Sequence, residues 1–251
     1  MPHQKFIGVL NGNFISKTFP SPNTELIAGI RWGRCDQIFS PAYWAAQAWL
    51  VEQRGRAPDY RLGCTLTEEI VACVLGGYGI PAEVGIAAFL HLKEMGILTQ
   101  TNVDVKVIHE LLSVPLDCGT KQLKYRFAAQ KSKYISHILR SQPETMAPQH
   151  SDLKLREWLL ELPGIGPKTS AWITRNWLSS NNVAIIDIHI FRACCIVGLF
   201  SPKEHVQSAY FNLESRFLRF CEALEVEASL LDDFLWKSMR LSGRGNHDIH
   251  F

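Results

Sequence analysis

Glu161-Leu162-Pro163-Gly164-Ile165-Gly166-Pro167-Lys168 is the stretch on which the reading of this chain turns. A helical pattern over residues 153–160 leads into it and a second helical pattern leaves it. The two glycines permit positive φ and let a foreign backbone come close. A helix, a tight turn and a second helix are therefore predicted. Backbone N–H groups that face outward at such a turn, beside a helix N-terminus, form an anion site, and the long anion that suits a flat hairpin is a nucleic-acid phosphate backbone. Leu162, Gly164, Ile165 and Gly166 are the expected backbone contacts, gripping DNA without reading its bases.

Lys168 falls at the start of the second helix, where the positive end of the helix dipole is unfavourable to a further positive charge; an uncharged amine is a nucleophile. Asp187 follows the apolar, extended run of residues 183–186 and is predicted to cap a helix beginning near Ile188. An amine able to attack carbon and a fixed anion able to stabilise a sugar cation are what covalent cleavage of an N-glycosidic bond requires. The bland alternative is that Gly-x-Gly marks a helix end, Lys168 is solvated and Asp187 only caps.

The hairpin, Lys168 and Asp187 resemble the motif of the helix-hairpin-helix DNA glycosylase superfamily. The longer strings Lys168-Thr-Ser-Ala, Arg175-Asn176 and Val183-Ala-Ile-Ile-Asp-Ile-His-Ile-Phe-Arg192 are similar to the archaeal-type 8-oxoguanine DNA glycosylases, and the likeness covers roughly residues 66–240. The resemblance implies that Lys168 forms a Schiff base with the deoxyribose and that Asp187 assists base departure. His189 is expected to touch a phosphate or the flipped nucleotide. In the last helical stretch, Asp232 and Trp236 stand at i and i+4 and share one face. The resemblance gives that pair the task of holding the damaged base; a buried Trp with a solvated Asp is the alternative. Compact relatives end soon after this helix with a lysine whose terminal carboxylate contacts the base. This chain continues from Ser242 to Phe251 and carries about sixty extra N-terminal residues, so the base identity is less firmly implied than the chemistry.

At 251 residues, with 47% hydrophobic and 20% charged residues, the chain has an ordinary globular composition and enough length for two lobes. No apolar run nears the roughly 18 residues needed to span a bilayer, and the start lacks the layout of a signal peptide. A soluble protein of the cytoplasm, associated with the nucleoid, or of the nucleus in a eukaryote, is expected. The net charge of +2 neither demands nor excludes DNA binding. Seven cysteines without any Cys-x-x-Cys suggest reduced, mostly buried thiols rather than disulfides or zinc. Relatives of the endonuclease III type hold an iron–sulfur cluster on four closely spaced cysteines past the aspartate, whereas only Cys194, Cys195 and Cys221 follow Asp187 here. Neither metal nor cofactor is expected.

Working outward, residues 1–30 read as an irregular or briefly extended start. Ser40-Pro41 opens a helix that ends near Arg54-Gly55, and helices are predicted over 67–75, 82–95 and 103–112. The Gly76-Gly77-Tyr78-Gly79 break corresponds in the resembled family to residues that enter the DNA stack, which makes Tyr78 a candidate wedge; a flexible turn that touches no DNA is the alternative. Residues 121–140 hold six basic side chains and no acid, with apolar residues at helical spacing. This amphipathic basic helical region is either a solvated face or a phosphate contact, with Arg126 and Lys131 the preferred contacts. Residues 141–152 read as a connection, and helices are predicted to about Leu199, over 204–222 and over 230–240.

No βα repeat and no set of alternating strands is visible, so the expected fold is mainly α, two-lobed, with the active site in the cleft between lobes. A helical barrel lobe of residues 66–178 would carry the hairpin, and residues 1–65 with 179–251 would form the other. The expected function is that of a bifunctional glycosylase and AP lyase acting on 8-oxoguanine. It would work as a monomer on double-stranded DNA containing a damaged base, away from membranes. A different damaged base, or a non-catalytic DNA-binding hairpin module, are the competing readings.

Overall fold

The structure is a computed structural model that describes residues 3–55, 60–77, 79–119 and 121–242. Tyr78 and the tail beyond Ser242 lie outside the described residues. The order begins with β1 (Gln4–Leu10), β2 (Asn13–Phe19), β3 (Glu25–Ile27), β4 (Ile30–Arg31) and α1 (Pro41–Gln53). It continues through α2 (Leu66–Leu75), α3 (Ala82–Glu94), α4 (Val105–Ser113), β5 (Pro115–Asp117), β6 (Gln122–Lys124), α5 (Ala128–Arg140), α6 (Pro143–Met146), α7 (Asp152–Leu160) and α8 (Pro167–Leu178). Last come α9 (Ile188–Ile196), α10 (Val206–Leu224) and α11 (Ala228–Ser242). The fold is mainly helical. The chain divides into two compact units, Tyr60–Ser180 and Met1–Asp59 with Asn181–Phe251.

In the Tyr60–Ser180 unit the helices surround α2, all of whose residues are buried. Thr65 caps it, accepting from Glu68 N at 3.2 Å. Its apolar side chains, Leu66, Ile70 and Leu75, join Leu92, Ile108, Ile135, Ile138 and Leu155 in one core. An acid sits in that core as well. Glu69 is 0% exposed and accepts from Leu62 N at 2.6 Å, Gly63 N at 2.9 Å and Asn176 Nδ2 at 2.7 Å. The carboxylate thereby ties the segment ahead of α2 to the middle of α8. Arg61 adds a second tie, donating to Trp177 O at 2.7 Å with its guanidinium 4.3 Å from the indole centroid. Residues 60–65, assigned from the sequence to the terminal lobe, belong to this unit for that reason.

Two expectations fail within it. The basic stretch of residues 121–140 is not one helix: residues 122–124 pair with residues 115–117 as a small antiparallel ladder, and α5 starts only at Ala128. The turn between these strands is built by Asp117, whose carboxylate accepts from Gly119 N at 2.8 Å, with Gly119 at φ +84. The connection over residues 141–152 also contains a helical turn, α6, opened by Pro143 at its first position.

The other unit opens on strands, the extended of the two alternatives read from the sequence, and they run longer than expected. β1 and β2 pair in register from Gln4 opposite Phe19 to Leu10 opposite Asn13. Asn11 and Gly12 between them have φ of +49 and +80, the conformation of a two-residue hairpin turn whose twist matches the strands. Phe6 meets Trp49 edge-on at 6.2 Å, and a side chain at Gly8 would stand 2.4 Å from Leu50, so the ribbon lies closely on α1. α1 in turn buries Trp44 against Phe220 of α10 and sets Tyr43 beside Phe234 of α11. Among the described residues no helix is long and apolar enough to cross a membrane.

Replacing Glu69 by Ala should strand the N–H groups of Leu62 and Gly63 and the Asn176 amide in a dry core. At about 1–3 kcal/mol for each orphaned buried group, the variant should lose about 3 kcal/mol or more of stability in urea denaturation. Glu69→Gln, which keeps an acceptor oxygen, should lose less.

Candidate active site

The hairpin occupies the turn between α7 and α8. Glu161 N and Leu162 N close the end of α7 on Trp158 O and Leu159 O, and Ile165 N closes the turn on Leu162 O at 3.2 Å. Leu162 and Ile165 point into the core. Their N–H groups are thus bonded inside the chain, and their side chains anchor the turn.

Gly164 is required twice, by its φ of +83 and by the Tyr134 ring, which a Cβ would meet at 2.2 Å. Gly166, by contrast, has open space where a side chain would stand. It caps α8 with no side chain of its own, and Pro167 follows at the first helical position. The N–H groups of Gly164, Gly166, Lys168 and Thr169 have no acceptor among the described residues. Together they form a cluster of donors at the positive end of α8. Lys168 is half-buried in the first turn of that helix.

α5 brings one predicted basic residue to this turn. Lys131 holds its Nζ 5.8 Å from the centroid of the Tyr134 ring that covers Gly164. Burial pushes its ammonium below the usual lysine range, with no charged partner to offset it. Arg126 lies in the turn ahead of α5, exposed, with its guanidinium 5.2 Å from the Phe127 ring.

The second cluster is in the unit formed by both termini. Asp187 caps α9: its Oδ1 accepts from His189 N at 2.8 Å and Ile190 N at 2.9 Å. Both bonds use the same oxygen, which leaves Oδ2 outside the cap. The His189 ring stands perpendicular to Trp236 of α11, centroids 6.3 Å apart. Trp236 is half-buried and has the Arg240 guanidinium 5.0 Å from its centroid. Asp232, one turn before Trp236, is 2% exposed and accepts from Ile185 N at 3.4 Å. Asp187, His189, Asp232 and Trp236 are therefore linked through α9, α11 and the segment between Val183 and Asp187.

Sequence reasoning missed Arg240, though its i+4 spacing from Trp236 could have found it. Tyr210 and Glu214, which bond to the backbone ahead of Asp187, were also missed. Among the described residues no group of three or more His, Cys, Asp or Glu side chains is gathered to hold a metal. Cys194 and Cys221 are fully buried thiols, and burial pushes both well above the ordinary range.

The fold is that of the helix-hairpin-helix DNA glycosylases. A crystal structure of the 8-oxoguanine DNA glycosylase of Thermotoga maritima superimposes with a TM-score of 0.58 at 24% identity, covering 79% of this chain and 93% of that one. A Methanocaldococcus jannaschii 8-oxoguanine glycosylase/lyase, crystallised with a 15mer DNA containing 8-oxoguanine, gives 0.54 at 24% identity over 69% of this chain and 79% of that chain. In sequence, an 8-oxoguanine DNA glycosylase/AP lyase of Metallosphaera sedula is 30% identical over 190 residues, 72% of this chain and 87% of the relative. Residues 63–226 match the family described as 8-oxoguanine DNA glycosylase, and the chain belongs to that family.

Lys131 sets a testable sign. Its lowered folded-state pKa means that the unfolded chain keeps the proton at pH values where the folded chain has released it, so stability rises with pH through that window. Lys131→Met should abolish this alkaline rise and raise stability at neutral pH, as read from urea midpoints across a pH series.

Proposed function

We propose that this chain is a bifunctional DNA glycosylase and AP lyase that removes 8-oxoguanine from double-stranded DNA through a lysine Schiff base, acting as a monomer. The observation that carries the reading is Lys168, half-buried in the first turn of α8 beside the unpaired N–H groups of Gly164 and Gly166. Those groups suit two adjacent phosphate oxygens, so the nucleophile comes with its own grip on the strand. Membership of the family and the relative named as an AP lyase support the same reading.

In this mechanism the Lys168 amine attacks C1′ of the damaged nucleotide while the bond from C1′ to the base breaks, and the departing base takes the electron pair. Asp187, anchored through Oδ1, offers Oδ2 to the sugar cation that develops as the base leaves. Loss of a proton from the attacking nitrogen and opening of the ring give the Schiff base. Removal of a C2′ proton then expels the 3′ phosphate. Trp236 supplies a stacking surface for the extruded purine, with Asp232 and Arg240 near it on α11. Such an enzyme works where the DNA is, in the cytoplasm at the nucleoid or in a nucleus.

Borohydride trapping on duplexes carrying 8-oxoguanine, an alkylated base, a deaminated base or no lesion tests reaction and base choice together. The wild-type chain should crosslink to the 8-oxoguanine duplex, and Lys168→Gln should bind that duplex yet neither crosslink nor cut it. Cleavage by Lys168→Gln at the wild-type rate would sink the covalent route; crosslinking to another lesion alone would reassign the base. A chain that binds every duplex and crosslinks to none would be a non-catalytic hairpin module.

Phosphate contact by Lys131 has its own readout. Lys131→Met should reduce the slope of log affinity against log salt by about one unit. An unchanged slope would return the basic stretch to a solvated face.

A further inference from the structure

The segment that delivers Asp187, residues 183–187, belongs to no sheet, the sheets among the described residues pairing β1 with β2, β3 with β4 and β5 with β6. Val183, Ala184 and Ile186 are nevertheless buried. Buried backbone polar groups need partners. Here side chains of α10 and α11 supply those partners. Ala184 N donates to Glu214 Oε1 at 3.0 Å, and Ile185 N to Asp232 Oδ2 at 3.4 Å. Tyr210 bridges the run: its hydroxyl donates to Ala184 O at 2.8 Å and accepts from Ile186 N at 3.3 Å. The next N–H, that of Asp187, folds back on Ile185 O at 2.9 Å, and α9 begins.

A hydroxyl that bonds residue 184 on one side and residue 186 on the other fixes the path of the backbone immediately before the carboxylate. Glu214 places a buried acid on the backbone N–H two positions before Ile186, an arrangement that apolar packing alone does not need. We propose that Tyr210 and Glu214 are positioning residues that set Asp187 for base departure, acting through the backbone of residues 184–186 rather than by touching DNA. This rests on the role given to Asp187 above.

A displacement of about 1 Å in a catalytic group can cost on the order of a hundredfold in rate, so the clamp should show in the chemistry of base release before it shows in binding. The test uses the full chain and three measurements: single-turnover excision from an 8-oxoguanine duplex, strand cleavage of a preformed abasic duplex, and affinity for a tetrahydrofuran-containing duplex. Tyr210→Phe, which removes only the hydroxyl, should slow excision by about ten- to a hundredfold. Cleavage of the abasic duplex, where no base remains to leave, and affinity should stay close to wild type. Glu214→Leu should behave likewise, and Glu214→Gln, which keeps the acceptor, should recover most of the rate. In an Asp187→Asn background Tyr210→Phe should add no further loss, because the residue it positions is already disabled.

Unchanged excision in both Tyr210→Phe and Glu214→Leu would overturn the proposal. So would excision, abasic cleavage and affinity falling together, or Glu214→Gln failing as badly as Glu214→Leu, since a purely structural role predicts those patterns. A wild-type chain that releases no base would overturn the proposed function first, and is distinguishable because no variant is needed to see it.

Discussion

A carboxylate with no access to water holds one half of this molecule in register. Glu69 sits in the middle of α2, and its oxygens accept from two backbone N–H groups, a side-chain amide and the Cys73 thiol. Burying an acid is costly unless its acceptor capacity is filled, so each of these bonds constrains the others. The result is that α8, which carries Lys168 at its start, is tied at Asn176 to the central helix. The opposite unit uses the same device with different residues. Glu214 and Asp232 are buried acids that accept from the segment ahead of Asp187, and Asp187 itself accepts from the first N–H groups of α9. Acids directed at backbone donors thus help set the local frame of both clusters.

The hairpin and the cap of α9 are legible in the sequence because each is a local event. Gly164 must adopt a positive φ within a few residues of a helix end, and an aspartate between an extended apolar run and a helical pattern is a cap by position. The ribbon of β1 and β2 is equally local. Asn11-Gly12 between alternating apolar residues signals it, but the surrounding Asn, Gly, Pro and Ser content suggests disorder of pattern and hides the alternation. The basic stretch misleads in the other direction. Its charges and apolar residues do fall at helical spacing, yet the turn at Asp117 and Gly119 takes the first residues into a ladder. What could not be read is long-range. Nothing near Tyr210 or Glu214 in the chain shows that Ala184 will be buried and in need of partners.

Asp232 shows how a correct spacing can conceal a second attachment. The i and i+4 relation to Trp236 places both on one side of α11, and that much follows from helix geometry. Its carboxylate also reaches Ile185 N, so the helix bearing the proposed base platform and the segment bearing the proposed anion share a hydrogen bond. Arg240 over the indole adds a cation to the same surface. Recognition of the base and stabilisation of the sugar are thereby assigned to elements that cannot shift independently.

Lys131 carries a different kind of consequence. Its ammonium has shed part of its hydration by folding against the Tyr134 ring, and among the described residues no anion compensates it. An anion that arrives there meets a cation whose dehydration was completed in the folding step, so less of that cost remains to oppose association. If Lys131 meets a DNA phosphate as proposed, a search for thermally hardened variants would find position 131 early and would lose affinity by accepting what it found, so that selection for robustness and selection for binding would pull this one residue in opposite directions.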